Sequence, residues 1–240
     1  MHRSLSDSKH TIYIMCGRFS LVTSKEKIQS ELSFVETGNN IRLSYNIAPT
    51  QHAYIVTNES PEKLQYVTWG LIPYWSKDGK NEGKLINARS EGIESKPSFR
   101  IPIRNRRCLV LADSFYEWKK EGIKKIPYRI FFENEKLLVM AGIWDLWYKG
   151  DYAVKSFSIL TTEPNSEMQK IHRRMPVLFT EKEEYKNWLS SEDLNETLDM
   201  LHPPKDGILK MYRVSEKVNS ARNDSPELHH EIPEPPTLFD

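Results

Sequence analysis

At 240 residues, 38% hydrophobic and 28% charged, the chain is long enough to bury a full core and too apolar to stay disordered, and its size predicts one domain. No apolar run reaches the length of a membrane span, and the opening MHRSLSDSKHTIYI lacks the long apolar stretch and small-residue cleavage site of a signal peptide, so nothing points to export. The net charge of +1 conceals an uneven distribution: residues 73–125 hold 13 Lys or Arg against 7 Asp or Glu, whereas the last 18 residues hold 5 acidic side chains and no Lys or Arg.

In chain order, residues 1–14 read as an extension ahead of Met15 and Cys16. Thr-Ser-Lys-Glu at 23–26 reads as a capping box, and Ile28 with Leu32 predicts a short helix over 24–34. Strand-like runs at 53–57 and 64–69 flank the turn-rich NESPEK and predict a hairpin, and further strands are expected at 107–112, 127–133, 137–143 and 155–162. Thr-Glu-Lys-Glu at 180–183 predicts a helix running through Trp188 and Leu189, and another follows at 194–201. The Pro-rich acidic segment 229–240 reads as a disordered tail. The fold class is α+β: a β-rich, barrel-like centre with peripheral helices.

Cys16 and Cys108 lack C-x-x-C spacing and are too few for a disulfide framework, which fits a reducing cytoplasm. Cys108 sits in the apolar run RCLVLA and reads as a buried core residue. The adjacent His229 and His230 have no third ligand at suitable spacing, so no metal is expected. The basic middle, with Trp69, Trp75 and Trp118 near it, suits nucleic acid, where cations meet phosphates and rings stack on bases; a solvated charged face is the alternative.

Six separated segments place reactive or polar residues in apolar surroundings: MCGRF at 15–19, YNIAPT at 45–50, WGLIP at 69–73, INAR at 86–89, ADSFYEW at 112–118 and IHRRMP at 171–176. If folding gathers them, a thiol, an amide, a carboxylate and an imidazole become available for covalent chemistry. On residue type alone Asn87 also fits a turn amide, Glu117 a surface ion pair with Lys119 or Lys120, and His172 a phosphate contact or an ordinary surface residue.

In content and order the six segments resemble the SRAP family, the abasic-site processing proteins once called SOS-response-associated peptidases, over residues 15–228. The resemblance implies capture of abasic sites in single-stranded DNA, with no cofactor, by a protein expected to be monomeric, cytoplasmic and nucleoid-associated. It implies catalytic roles for Cys16, Asn87, Glu117 and His172. Arg18, Arg89 and Arg174 then correspond to DNA-backbone contacts, Asn46 and Pro49 to the pocket wall, and Trp75 to a base-stacking ring. Cys16 matches a cysteine that becomes the mature N-terminus, so the preceding residues must be lost before its amine can react. Arg173 departs from the pattern by adding a cation beside His172. The terminal TLFD at 237–240 faintly resembles peptides that dock on the replication sliding clamp, although the glutamine of such peptides is missing. A cysteine peptidase acting on its own N-terminus or on other proteins, and a non-covalent single-strand binding module, remain alternatives.

Overall fold

In the computed structural model the described residues are 16–38, 40–80 and 84–233; the extension, positions 39 and 81–83, and the clamp-like TLFD lie outside them. Thirteen strands follow in order: β1 (Phe19–Leu21), β2 (Ser44–Ile47), β3 (His52–Thr57), β4 (Ser60–Trp69), β5 (Asn87–Arg89), β6 (Arg107–Ala112) and β7 (Ser114–Glu121), then β8 (Lys124–Phe132), β9 (Leu138–Lys149), β10 (Tyr152–Thr162), β11 (Met175–Pro176), β12 (Leu178–Phe179) and β13 (Leu209–Arg213). The helices are α1 (Lys25–Glu31), α2 (Pro102–Asn105), α3 (Lys182–Ser190) and α4 (Leu194–Asp199).

Strands β10, β4, β3, β6 and β9 pair in that order, and β9 pairs back onto β10, closing a five-stranded barrel. Closure removes the exposed edges that would otherwise template aggregation. Only the β10–β4 step is parallel, so the barrel is mixed. All six residues of β6 are buried, because one face looks into the barrel while the other is covered, in part by α3. Double-sided burial explains why RCLVLA reads as a continuous apolar run rather than an alternating one. Arg107 is the polar exception: its guanidinium donates to the Ile103 and Arg104 carbonyls at 3.2 and 2.8 Å and to that of Trp188 at 2.7 Å, satisfying helix-end acceptors of α2 and α3. Cys108 is fully buried, as its setting predicts.

A second sheet, ordered β13-β8-β7-β1-β2, holds the strand that follows Cys16. Beyond it the chain returns as a strap of short turns at Glu216–Asn219 and Pro226–His229. Val218 and Leu228 pack there against Tyr116.

Several expectations shift. Helix α1 ends at Glu31 rather than 34, and both N-caps sit one residue later than read: Ser24 caps α1 by accepting from the Lys27 amide, with no reciprocal box because N3 is a lysine, while Glu181 and Glu184 form the reciprocal box of α3. In each case a Thr precedes the residue whose side chain meets the helix amides, and local spacing did not separate the two positions. Helix α4 stops at Asp199 instead of 201. Residues 229–233, assigned by composition to a disordered tail, are docked: His229 Nε2 lies 3.1 Å from Ser20 Oγ, and Ile232 N donates to Arg213 O at 2.8 Å. Trp69, grouped above with the nucleic-acid rings, is fully buried and donates its indole N–H to Ile86 O at 2.9 Å.

Candidate active site

The reactive cluster follows from strand register. β1 runs antiparallel to β7 with Phe19 opposite Phe115, and the Tyr116 amide donates to Arg18 O at 2.9 Å. Continued one step, that ladder brings the residues ahead of β1 beside Glu117. The Cys16 backbone nitrogen donates to Glu117 Oε1 at 2.5 Å, and both residues are almost completely buried. Cys16 has a φ of 40°, left-handed backbone that a side chain rarely adopts.

Two further elements complete the cluster. β5 pairs in parallel with β10, Asn87 opposite Ile159, and this placement lets the Asn87 amide donate to Cys16 O at 3.5 Å. After β10 the chain turns through Met168–Lys170, and His172 N donates back to Met168 O at 2.8 Å. The His172 ring is thereby brought to 3.9 Å from Glu117, Nδ1 to Oε1, while Nδ1 lies 3.3 Å from the Arg174 amide nitrogen. Cys16, Asn87, Glu117 and His172 therefore meet in one place, although 156 positions separate the first from the last.

Burial dominates the electrostatics. It pushes the Cys16 thiol well above its ordinary pKa, reinforced by the Glu117 charge and by a hydrogen bond to Glu117, with Arg174 pulling the other way. Burial also raises the Glu117 carboxyl, against the opposing charge of His172 and the hydrogen bonds from Cys16. A thiol that stays protonated beside a carboxyl with raised proton affinity is a site for moving protons, not for storing a thiolate.

A groove of about 700 Å³ opens from this cluster, lined by Arg18, Pro49, Glu117 and His172 and continued by Trp118, Lys120, Lys125, Arg173 and Asn219. Pro49 lines this groove beside Arg18. Arg18 reaches the groove, but its guanidinium is held inward, donating to Asn46 Oδ1 at 2.9 Å and Val218 O at 2.6 Å. Asn46 is buried, its amide donating to Ser220 O and Asn223 O at 3.0 and 2.6 Å. Arg174 pairs with Glu91 and donates to Thr161 O at 2.5 Å. Arg89 is exposed at the end of β5, and Trp75 is 45% exposed with its ring edge-on to Tyr74; neither lines the groove. Among the described residues no group of three or more His, Cys, Asp or Glu is arranged to hold a metal ion, and no helix is long and apolar enough to cross a membrane. Lys120, Lys125 and Asn219 were not singled out from sequence. The lysines fall in the basic stretch 73–125, which also reads as a solvated charged face, and nothing local marks Asn219.

Residues 15–221 match the family model described as SOS response associated peptidase (SRAP). The chain belongs to the SRAP family. Among curated SRAP relatives, the abasic site processing protein YoqW of Bacillus subtilis is 40% identical over 222 residues, spanning 89% of this chain and 98% of the relative. YoaM of the same organism, another abasic site processing protein, is 41% identical over 89% of this chain and 97% of its own. The Gallus gallus abasic site processing protein HMCES is 33% identical over 78% of this chain and 65% of its own. A solved structure from Bacteroides thetaiotaomicron superposes with a TM-score of 0.80 at 29% identity, covering 90% of this chain and 100% of that one. The barrel and the second sheet are the SRAP fold.

Proposed function

We propose that this SRAP protein processes abasic sites in single-stranded DNA by capturing them covalently on Cys16, once the residues ahead of it are removed. The observation that carries this reading is the contact between the Cys16 backbone nitrogen and Glu117 Oε1, 2.5 Å. After removal of residues 1–15 that nitrogen becomes an α-amine, already held by the carboxyl that would exchange protons with it.

The chemistry needs both nucleophiles of an N-terminal cysteine. The ring-opened sugar of an abasic site carries an aldehyde at C1′. The amine adds to that carbon and water leaves, forming an imine; the thiol then adds across the C=N bond, its proton passing to the nitrogen, and closes a five-membered thiazolidine. Glu117 takes and returns the protons of addition and dehydration. His172 polarises the sugar oxygen during ring opening, and Asn87 holds the Cys16 carbonyl, fixing the nucleophile. The raised thiol pKa supports this order, with the amine reacting first. It weighs against the cysteine-peptidase alternative, which relies on a stabilised thiolate.

The test is a denaturing-gel shift with a single-stranded oligonucleotide carrying one abasic site. The Cys16-initiated protein is expected to give a shifted band, and the 240-residue chain and the Cys16-initiated Cys16→Ser protein none. No band from the Cys16-initiated protein would overturn covalent capture.

A further inference from the structure

The β7–β8 hairpin carries a cross-strand pair that folding alone does not explain. Lys120 and Lys125 lie directly opposite each other in the antiparallel ladder, and both line the groove that opens from Glu117. Like charges placed opposite each other destabilise a strand pair. Neighbouring Lys119 is neutralised by Glu121 at 2.8 Å, but among the described residues no carboxylate lies within ion-pair distance of Lys120 or Lys125. Arg173 adds a third cation to the same groove wall.

Beside this pair stands Trp118, two residues before Lys120 and so on the same strand face. Its indole N–H donates to Asn219 Oδ1 at 2.8 Å. The strap holding Asn219 is itself fastened: Arg18 donates to Val218 O, and the Asn223 amide donates to Lys217 O at 2.7 Å. The ring therefore has a fixed orientation at the groove wall. A fixed aromatic ring followed by two unneutralised cations is the arrangement that holds a base and the phosphate next to it.

We propose that this hairpin is a second binding arm for the DNA strand: the backbone flanking the abasic nucleotide passes between Lys120 and Lys125, and a neighbouring base rests on Trp118, oriented by Asn219. Lys120 lies three residues beyond Glu117, about 10 Å along an extended strand, so the arm engages nucleotides outside the reacting sugar. The inference rests on the reading above that this protein acts on single-stranded DNA at Cys16, in the cluster from which the groove opens. It assigns to this arm the affinity for the undamaged part of the strand.

The experiment measures binding of the full chain to an intact single-stranded oligonucleotide over a range of salt concentrations, which needs no free amine. The double variant Lys120→Gln/Lys125→Gln is compared with wild type and with Lys63→Gln/Lys186→Gln, a charge-matched control outside the groove. Two lost phosphate contacts lower the slope of log affinity against log salt by about 1.4 and weaken binding about 25-fold at 0.1 M salt. The control should stay near wild type, and the double variant should melt no lower, since it removes a like-charge pair. An arm variant indistinguishable from the control overturns the proposal. So does equal weakening in both variants, which would indicate net charge alone. If the Cys16-initiated protein forms no adduct while the intact strand still binds with the predicted salt slope, covalent capture fails and the arm stands.

Discussion

Glu117 accepts a hydrogen bond from the backbone nitrogen of Cys16 across 101 positions of sequence, at the point where the β1–β7 ladder runs out. The contact joins the proposed nucleophile to the group that would manage its protons.

Replacing that carboxyl separates chemistry from stability. Burial raises the Glu117 pKa, so between the ordinary carboxylate range, near ~4.3, and its raised value the folded chain keeps a proton that the unfolded chain releases. Stability contributed by this group is therefore present at low pH and lost as pH rises through that window. Glu117→Gln is expected to melt higher than wild type at neutral pH and close to wild type near pH ~4. In the Cys16-initiated form it should slow adduct formation by about 100-fold or more. Melting curves across pH, together with single-turnover gel kinetics, check both halves; a melting difference independent of pH would show that burial of the charge is not what the fold opposes.

His229 gives the opposite slope. Burial, with the charges of Arg129 and His230, lowers its pKa from 6.5 to about 3. Below pH 6.5 the unfolded chain takes up a proton that the folded chain refuses until about pH 3, so stability falls as pH drops through that window. His229→Phe keeps a ring against Tyr45, whose centroid lies 4.8 Å away, and removes the titration. Its melting temperature should depend less on pH between 6 and 4 than that of wild type; equal slopes would place the acid sensitivity elsewhere.

Arg18 is expected to behave as a structural tie as well as a groove residue. Arg18→Ala leaves Asn46 Oδ1 without its donor and Val218 O with only the longer bond from the Asn46 amide at 3.4 Å, a cost of about 2 kcal/mol. Arg18→Lys should recover only part of this, because an ammonium cannot reproduce the planar fork. Urea unfolding gives the stability, and Trp118 emission reports the strap through Asn219. Unchanged stability in Arg18→Ala would show that these contacts do not secure the strap.

Inside the barrel, Gly142 stands opposite Cys108 across the β6–β9 ladder, and a Cβ added there would meet Cys108 Sγ at 2.8 Å and Val110 Cγ2 at 2.9 Å. Gly142→Ala should cost about 1–3 kcal/mol through overpacking. Adding Cys108→Ala should return part of it. A double-mutant cycle by denaturant unfolding measures the coupling, and strict additivity would mean that the sulfur is not the obstruction.

Local composition determined much of the scaffold. β6 falls at 107–112, where its β-branched and aliphatic run predicts it, and the hairpin around NESPEK forms as β3 and β4. Both signals depend on neighbours along the chain, where alternation and turn chemistry act. The residue types of the cluster were legible too, since a thiol, an amide, a carboxylate and an imidazole stand in segments whose order resembles SRAP proteins.

Tertiary structure alone decided how those residues are used. β7, the strand that carries Glu117, was not expected as a strand because SFYEWKKE is rich in charge, and pairing with β1 and β8 overrides that composition. Arg18 and Asn46 turn toward carbonyls of residues 218–223, and Arg174 toward Glu91, through contacts spanning 83 to 200 positions. Such partners are chosen by sheet order and register, which come from closing the barrel and laying the strap across it, and no local window records them.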